Sequence, residues 1–115
     1  EKLVAIVDLE FAGAGCFLED LAYAVSNLCI RRAVDRVMLS RRTDLMLEYY
    51  QRHRTLSALE DRALYYAVGI KHVGTVSYQS AQMDGTVAGK PAHVWMSILA
   101  MQCEWLKERA NETRA

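Results

Sequence analysis

The sequence predicts a mainly α-helical domain in which one short N-terminal strand is followed by about four helices. Three observations predict it. Apolar residues recur at spacings of three and four through most of the 115 residues, the period of amphipathic helices. Glycine, proline and a Ser-x-x-Glu signature cut that pattern into segments of helical length. Only "LVAIV", residues 3–7, departs from it, being rich in β-branched residues and too short for a helix. With 52% hydrophobic and 24% charged residues the chain has the material for one core, so residues 1–115 read as a single domain.

Each element follows from its own residues. Residues 3–7 lack polar alternation, as in a strand covered on both faces. "EFAGAGCF" carries Gly13 and Gly15 and reads as a loop. From Glu19 to about Arg32, Leu21, Ala22, Val25, Leu28 and Cys29 mark a first helix, with Asp20 in its first turn where a carboxylate suits the helix dipole. A second helix is expected over about 37–53, with Leu45, Met46, Tyr49 and Tyr50 on or near one face and Arg41, Arg42, Glu48 and Arg52 outside. Ser57 and Glu60 form a capping box that opens a third helix reaching about Ala81. Its expected packing stripe is Leu59, Ala63, Tyr66, Ala67, Ile70, Gly74, Ser77 and Tyr78, with the small members admitting a close backbone. "MDGTVAGK" is a turn, because it lacks the strand and the Ser or Thr of a phosphate loop. Pro91 then opens a fourth helix along Val94, Ile98, Met101 and Trp105, flanked by Trp95, Leu99 and Leu106, and "RANETRA" frays.

Charge and residue spacing exclude several function classes. Fourteen basic and fourteen acidic residues cancel, so the chain lacks the basic footprint of a nucleic-acid or anionic-membrane binder; the Arg31 to Arg42 cluster reads as a solvated stretch. Cys16, Cys29 and Cys103 are odd in number and never spaced as C-x-x-C, which argues against a disulfide framework or zinc site and for small buried hydrophobes in a reducing cytoplasm. His53, His72 and His93 have no ligand spacing. The aromatics Trp95, Trp105, Tyr65, Tyr66 and Tyr78 are expected in the core. The opening residues do not read as a basic-then-apolar leader, and no apolar run reaches the ~20 residues needed to cross a bilayer. A lone strand leaves its ladder groups unpaired, so either a second copy or a preceding part of a longer polypeptide is expected to pair with residues 3–7.

The stretch "VAIVDLEFAGAGCFLEDLAYAV" resembles the segment after the catalytic loop in the aminoglycoside phosphotransferase, choline kinase and type II homoserine kinase-like family. The shared pattern is Ile6-Val7-Asp8-Leu9 at a strand end, a loop with Gly13 and Gly15, and Asp20-Leu21-Ala22 opening a helix, which covers about the first quarter of the chain. The resemblance implies the helical C-terminal subdomain of a protein-kinase-like fold. It also implies an ATP-dependent transfer of a phosphoryl group to a small-molecule hydroxyl, with magnesium and ATP as cofactors. Asp8 would hold the magnesium, Glu10 would be a second ligand or a neighbour, and Asp20 would cap its helix and brace the catalytic loop. Acidic substrate contacts would come from Glu10, Glu19, Asp84 or Glu104.

Departures accompany the match. Leu9 stands where the family usually has an aromatic, and Cys16-Phe17 replaces an Asp-Pro pair. The catalytic base, its neighbouring asparagine and the phosphate grips have no counterpart in these residues, so the chain alone is expected to be inactive. The competing expectation is a non-enzymatic helical interaction module, a homodimer pairing its strands or sharing the Gly74/Tyr78 face.

Overall fold

The computed structural model describes residues 2–6, 13–31, 37–82, 86–87 and 89–112, and the fold is mainly α. Its elements run α1 (Phe17–Leu28), α2 (Ser40–Gln51), α3 (Ala58–Gln82), β1 (Thr86–Val87), β2 (Lys90–Pro91) and α4 (Ala92–Glu112). The four expected helices are all present. Of the N-terminal strand expected over residues 3–7, the described part joins no ladder: residues 2–6 are exposed, Val4 at 91%, and Val7 lies outside the described residues. A strand is defined by its partner's hydrogen bonds, and the described residues offer it none.

Local chemistry sets the ends of the helices. α1 starts two residues earlier than the periodicity implies, and the Cys29 N–H closes its last turn on the Val25 carbonyl at 3.0 Å. The chain then makes one antiparallel bridge, Ile30 with Met38, flanked by Arg31 N–H to Val37 O (2.9 Å) and Leu39 N–H to Cys29 O (2.8 Å). This bridge shortens both neighbours, so α2 begins only at Ser40. At the start of α3 the capping box is formed in both directions. The Ser57 N–H donates to Glu60 Oε2 at 2.9 Å, and the Glu60 N–H donates to Ser57 Oγ at 3.2 Å. Between α3 and α4, β1 and β2 pair antiparallel, Thr86 with Pro91 and Val87 with Lys90. Gly89 in their turn has φ +75°, a conformation that a Cβ would strain. Pro91 therefore ends the hairpin, and α4 starts one residue later. Instead of fraying from Arg109, α4 continues to Glu112 with Ala110 buried.

Among the described residues two clusters make the core. The larger joins Leu21, Ala22 and Val25 of α1, Cys29 and Ile30, Met38, Leu47 of α2, Leu56, then Leu64, Tyr65 and Val68 of α3 and Leu106 and Ala110 of α4. The smaller is Val76, Trp95 and Leu99, with Ile98 against it. α3 is thus the central element, packing on α1 and on α4.

The helix faces differ from those expected. α3 buries Leu64, Tyr65, Val68, His72 and Val76, whereas Leu59, Tyr66, Ile70 and Tyr78 of the expected stripe are exposed. α4 buries Trp95, Leu99, Gln102, Leu106 and Ala110, so the ridge read as flanking is the core and Met101 is exposed. On α2 the buried residues are Thr43 and Leu47, with Met46 and Tyr50 half-buried and Leu45 and Tyr49 outside. Both long helices are apolar on more than one face, and periodicity does not say which face meets a neighbour. The close-approach glycine is Gly69, where a Cβ would lie 3.3 Å from Leu106 Cδ1. Around Gly74 there is open space, so in a single copy this mid-helix glycine costs about 1 kcal/mol relative to alanine with nothing gained.

Candidate functional site

The N-terminal end of α1 is where the sequence motif falls. Asp8 and Glu10, the expected magnesium ligands, lie outside the described residues, as does Asp84. Asp20 is exposed in the first turn of α1, while the next two residues enter the core, Leu21 at 3% and Ala22 at 0% exposure. The cap expected of Asp20 is absent: Cys16 holds the N-cap position without a side-chain hydrogen bond, and the Glu19 N–H donates to the Cys16 carbonyl at 3.0 Å. Asp20 is already inside the helix, too late to reach back to the first amides. Its charge and that of Glu19 act on the positive end of the helix instead.

This end of α1 sits beside the start of α3. The Arg54 guanidinium lies 5.0 Å from the Phe17 ring centre and 2.7 Å from Glu60 Oε1. The Ser57 amide, Arg54 and the Ser57 hydroxyl together hold the Glu60 carboxyl down to about 2. These contacts bring two helix N-termini to one side of the domain. Among the described residues no group of three or more His, Cys, Asp or Glu is placed to hold a metal ion.

Other expected residues scatter. Glu104 lines a groove of about 720 Å³ between α3 and α4, which contains neither Glu19 nor Asp20. Cys29 is buried, and its burial pushes the thiol up, away from nucleophilic chemistry. Cys16 and Cys103 are exposed, contrary to the expectation of buried hydrophobes. His72 is a core residue, while His53 and His93 are exposed. Of the aromatics, Trp95 and Tyr65 are buried and Trp105 is half-buried; Tyr66 and Tyr78 are outside.

Two polar constellations went unforeseen. The Gln102 side chain, 3% exposed, accepts a hydrogen bond from the Met38 N–H at 2.8 Å and so joins α4 to the bridge before α2. Its signal in the sequence is a polar residue in step with Trp95, Leu99 and Leu106. Arg109 pairs with Asp44 of α2, donates to Tyr65 Oη at 3.3 Å, and stacks near Trp105, whose indole N–H reaches Ser40 Oγ at 3.1 Å. Burial pushes the Tyr65 hydroxyl up, so it stays protonated. Both clusters fasten helices together.

No protein-family model, curated protein or solved structure matches the chain. Among the described residues no helix is long and apolar enough to cross a membrane.

Proposed function

We propose that this chain is the C-terminal helical part of an ATP-dependent phosphotransferase that moves a phosphoryl group to a hydroxyl of a small molecule. The observation that carries the reading is the polarity of Asp20-Leu21-Ala22. The two apolar residues lock α1 into the core, while the aspartate stays exposed in the first turn of the helix, twelve positions after Asp8 in the sequence.

In this reading Asp8 is the magnesium ligand, with Glu10 beside it, and magnesium neutralises phosphate charge. The described residues by themselves do not make up a magnesium site, and their work is to position: the α1–α3 packing anchors the start of α1 on a rigid core. The base, the second metal ligand and the phosphate grips belong to a part of the polypeptide preceding residue 1, which in this reading also pairs with residues 2–6. The 115-residue chain alone is then inactive.

Reading the coding sequence upstream of Glu1 tests the proposal. It is expected to encode a catalytic aspartate followed about five residues later by an asparagine, and the full product should phosphorylate a hydroxyl substrate in an Asp8-dependent way. An upstream region with no such loop, or turnover by the 115-residue chain itself, refutes it.

A second reading, a helical module that works by association, is favoured by the apolar residues left on the outside of α3, namely Leu59, Tyr66, Ile70, Val73 and Tyr78. Such a face on a finished monomer is uncommon.

A further inference from the structure

The outer face of α3 is more ordered than a random scatter of apolar residues. Leu59, Ala63, Tyr66, Ile70, Val73 and Ser77 follow one another at intervals of four, three, four, three and four residues, the seam spacing of a helix that packs along its length on another helix. Ile70 at the centre is 73% exposed and Tyr66 56%. Grooves flank this ridge on both sides: one toward α4, walled by Cys103 and Lys107, the other toward α1, walled by Tyr23.

We propose that this face is a two-fold interface between two copies of the chain, their α3 helices antiparallel and crossing at Ile70. The inference develops the second reading above. Its main support is the distribution of side-chain size about Ile70. In an antiparallel pair, residues equally far before and after the crossing point face one another. Four residues out, Tyr66 meets Gly74; seven out, Ala63 meets Ser77; eleven out, Leu59 meets Ala81. At the crossing the two Ile70 side chains meet, as a two-fold interface requires of a residue on its axis. Tyr66 against Gly74 and Leu59 against Ala81 each set a bulky side chain opposite a small one, and the open space over Gly74 is where the partner's Tyr66 ring lies. A parallel pair would stack Tyr66 on Tyr66 and leave a void between the two Gly74 positions.

Charge points to the same arrangement. The acidic pair Glu60 and Asp61 lies in the first turn of α3, and the second half of the helix carries no acidic residue. Antiparallel pairing separates the two acidic ends and aligns opposed helix dipoles, while parallel pairing would set like ends side by side. Eight residues from the crossing, Arg62 faces Tyr78, a cation over an aromatic ring. Leu59, Tyr66, Ile70 and Tyr78 are each more than half exposed, so with the groove walls the face offers apolar area toward the ~800 Å² per partner of a stable complex.

Sedimentation equilibrium on the 115-residue chain tests the inference. The expected result is a reversible dimer at micromolar concentration. Ile70→Glu should weaken it at least a hundredfold, while the helical circular dichroism of the resulting monomer stays native, since residue 70 lies outside the core. Gly74→Tyr alone should also weaken the dimer, because two tyrosines then compete for one space. Combining it with Tyr66→Gly exchanges the large and small partners and should restore association to within about tenfold. A dimer that ignores Ile70→Glu overturns the proposed surface while leaving the association reading standing. A chain that stays monomeric at hundreds of micromolar overturns both.

Discussion

Replacing Gln102 by methionine removes one hydrogen-bond acceptor from the interior with little change in volume. The Met38 N–H that Gln102 accepts at 2.8 Å is buried and has a side chain rather than a ladder as its partner. Without it the amide keeps its desolvation cost and loses its compensation, an effect of about 1–3 kcal/mol. Methionine fills the space and adds apolar area, which offsets a few tenths, so a net loss of about 1.5 kcal/mol is expected. For a domain of this size that lowers the midpoint of thermal unfolding by roughly 6 °C. The Met38 amide, which reports the bridge with Ile30, should exchange with solvent much faster than in the parent chain, while amides at the centre of α3 should follow the global loss only. Hydrogen exchange by NMR separates the two. An unchanged melting point together with an unchanged Met38 exchange rate would refute the reasoning, because the amide would then not depend on Gln102.

Three further outcomes are expected. Trp95→Ala empties the smaller cluster, in which Trp95 is 2% exposed, and should cost about 3–5 kcal/mol in urea unfolding; a loss below 1 kcal/mol would mean that cluster carries no stability. Gly69→Val places a branched side chain where a single Cβ already approaches Leu106 Cδ1 to 3.3 Å, so α4 must shift at a cost of about 1–3 kcal/mol, read from the same urea titration. The Glu60 carboxyl titrates near 2 in the folded chain against an ordinary 4.5. A group whose folded value is depressed stabilises above the unfolded value and loses that contribution as pH falls toward the folded one. Unfolding free energy should therefore decline between about pH 5 and pH 2, and Glu60→Gln should flatten that decline. A parallel decline in the variant would show that Glu60 is not its source.

The features legible in the sequence were local. The capping box at Ser57 and Glu60, the turn around Gly89 and the apolar stripe of α1 each depend on residues within a few positions, and each is found. Which face of α3 turns inward was not legible, since its two apolar stripes are equally periodic and only the placement of α1 and α4 chooses between them. The Met38–Gln102 bond spans 64 positions, and nothing near either residue announces the other. Residues 3–7 have strand composition, but pairing is a property of two segments, and composition describes one. At the motif, the inward turn of Leu21 and Ala22 was foreseeable from spacing. The N-cap at Cys16 was not, because a cysteine carries no capping signal.

The hairpin of β1 and β2 has a kinetic consequence. It turns the chain back so that α3 and α4, with Val76 meeting Trp95 near the bend, touch across a short stretch of sequence. Contacts of that kind close small loops and form early. A nascent α3–α4 pair would zip outward from Gly89, presenting a ready template on which α1 docks last. Slowing the bend, by a residue that resists a left-handed backbone at position 89, would then delay the assembly of every later contact even where the finished fold is scarcely disturbed.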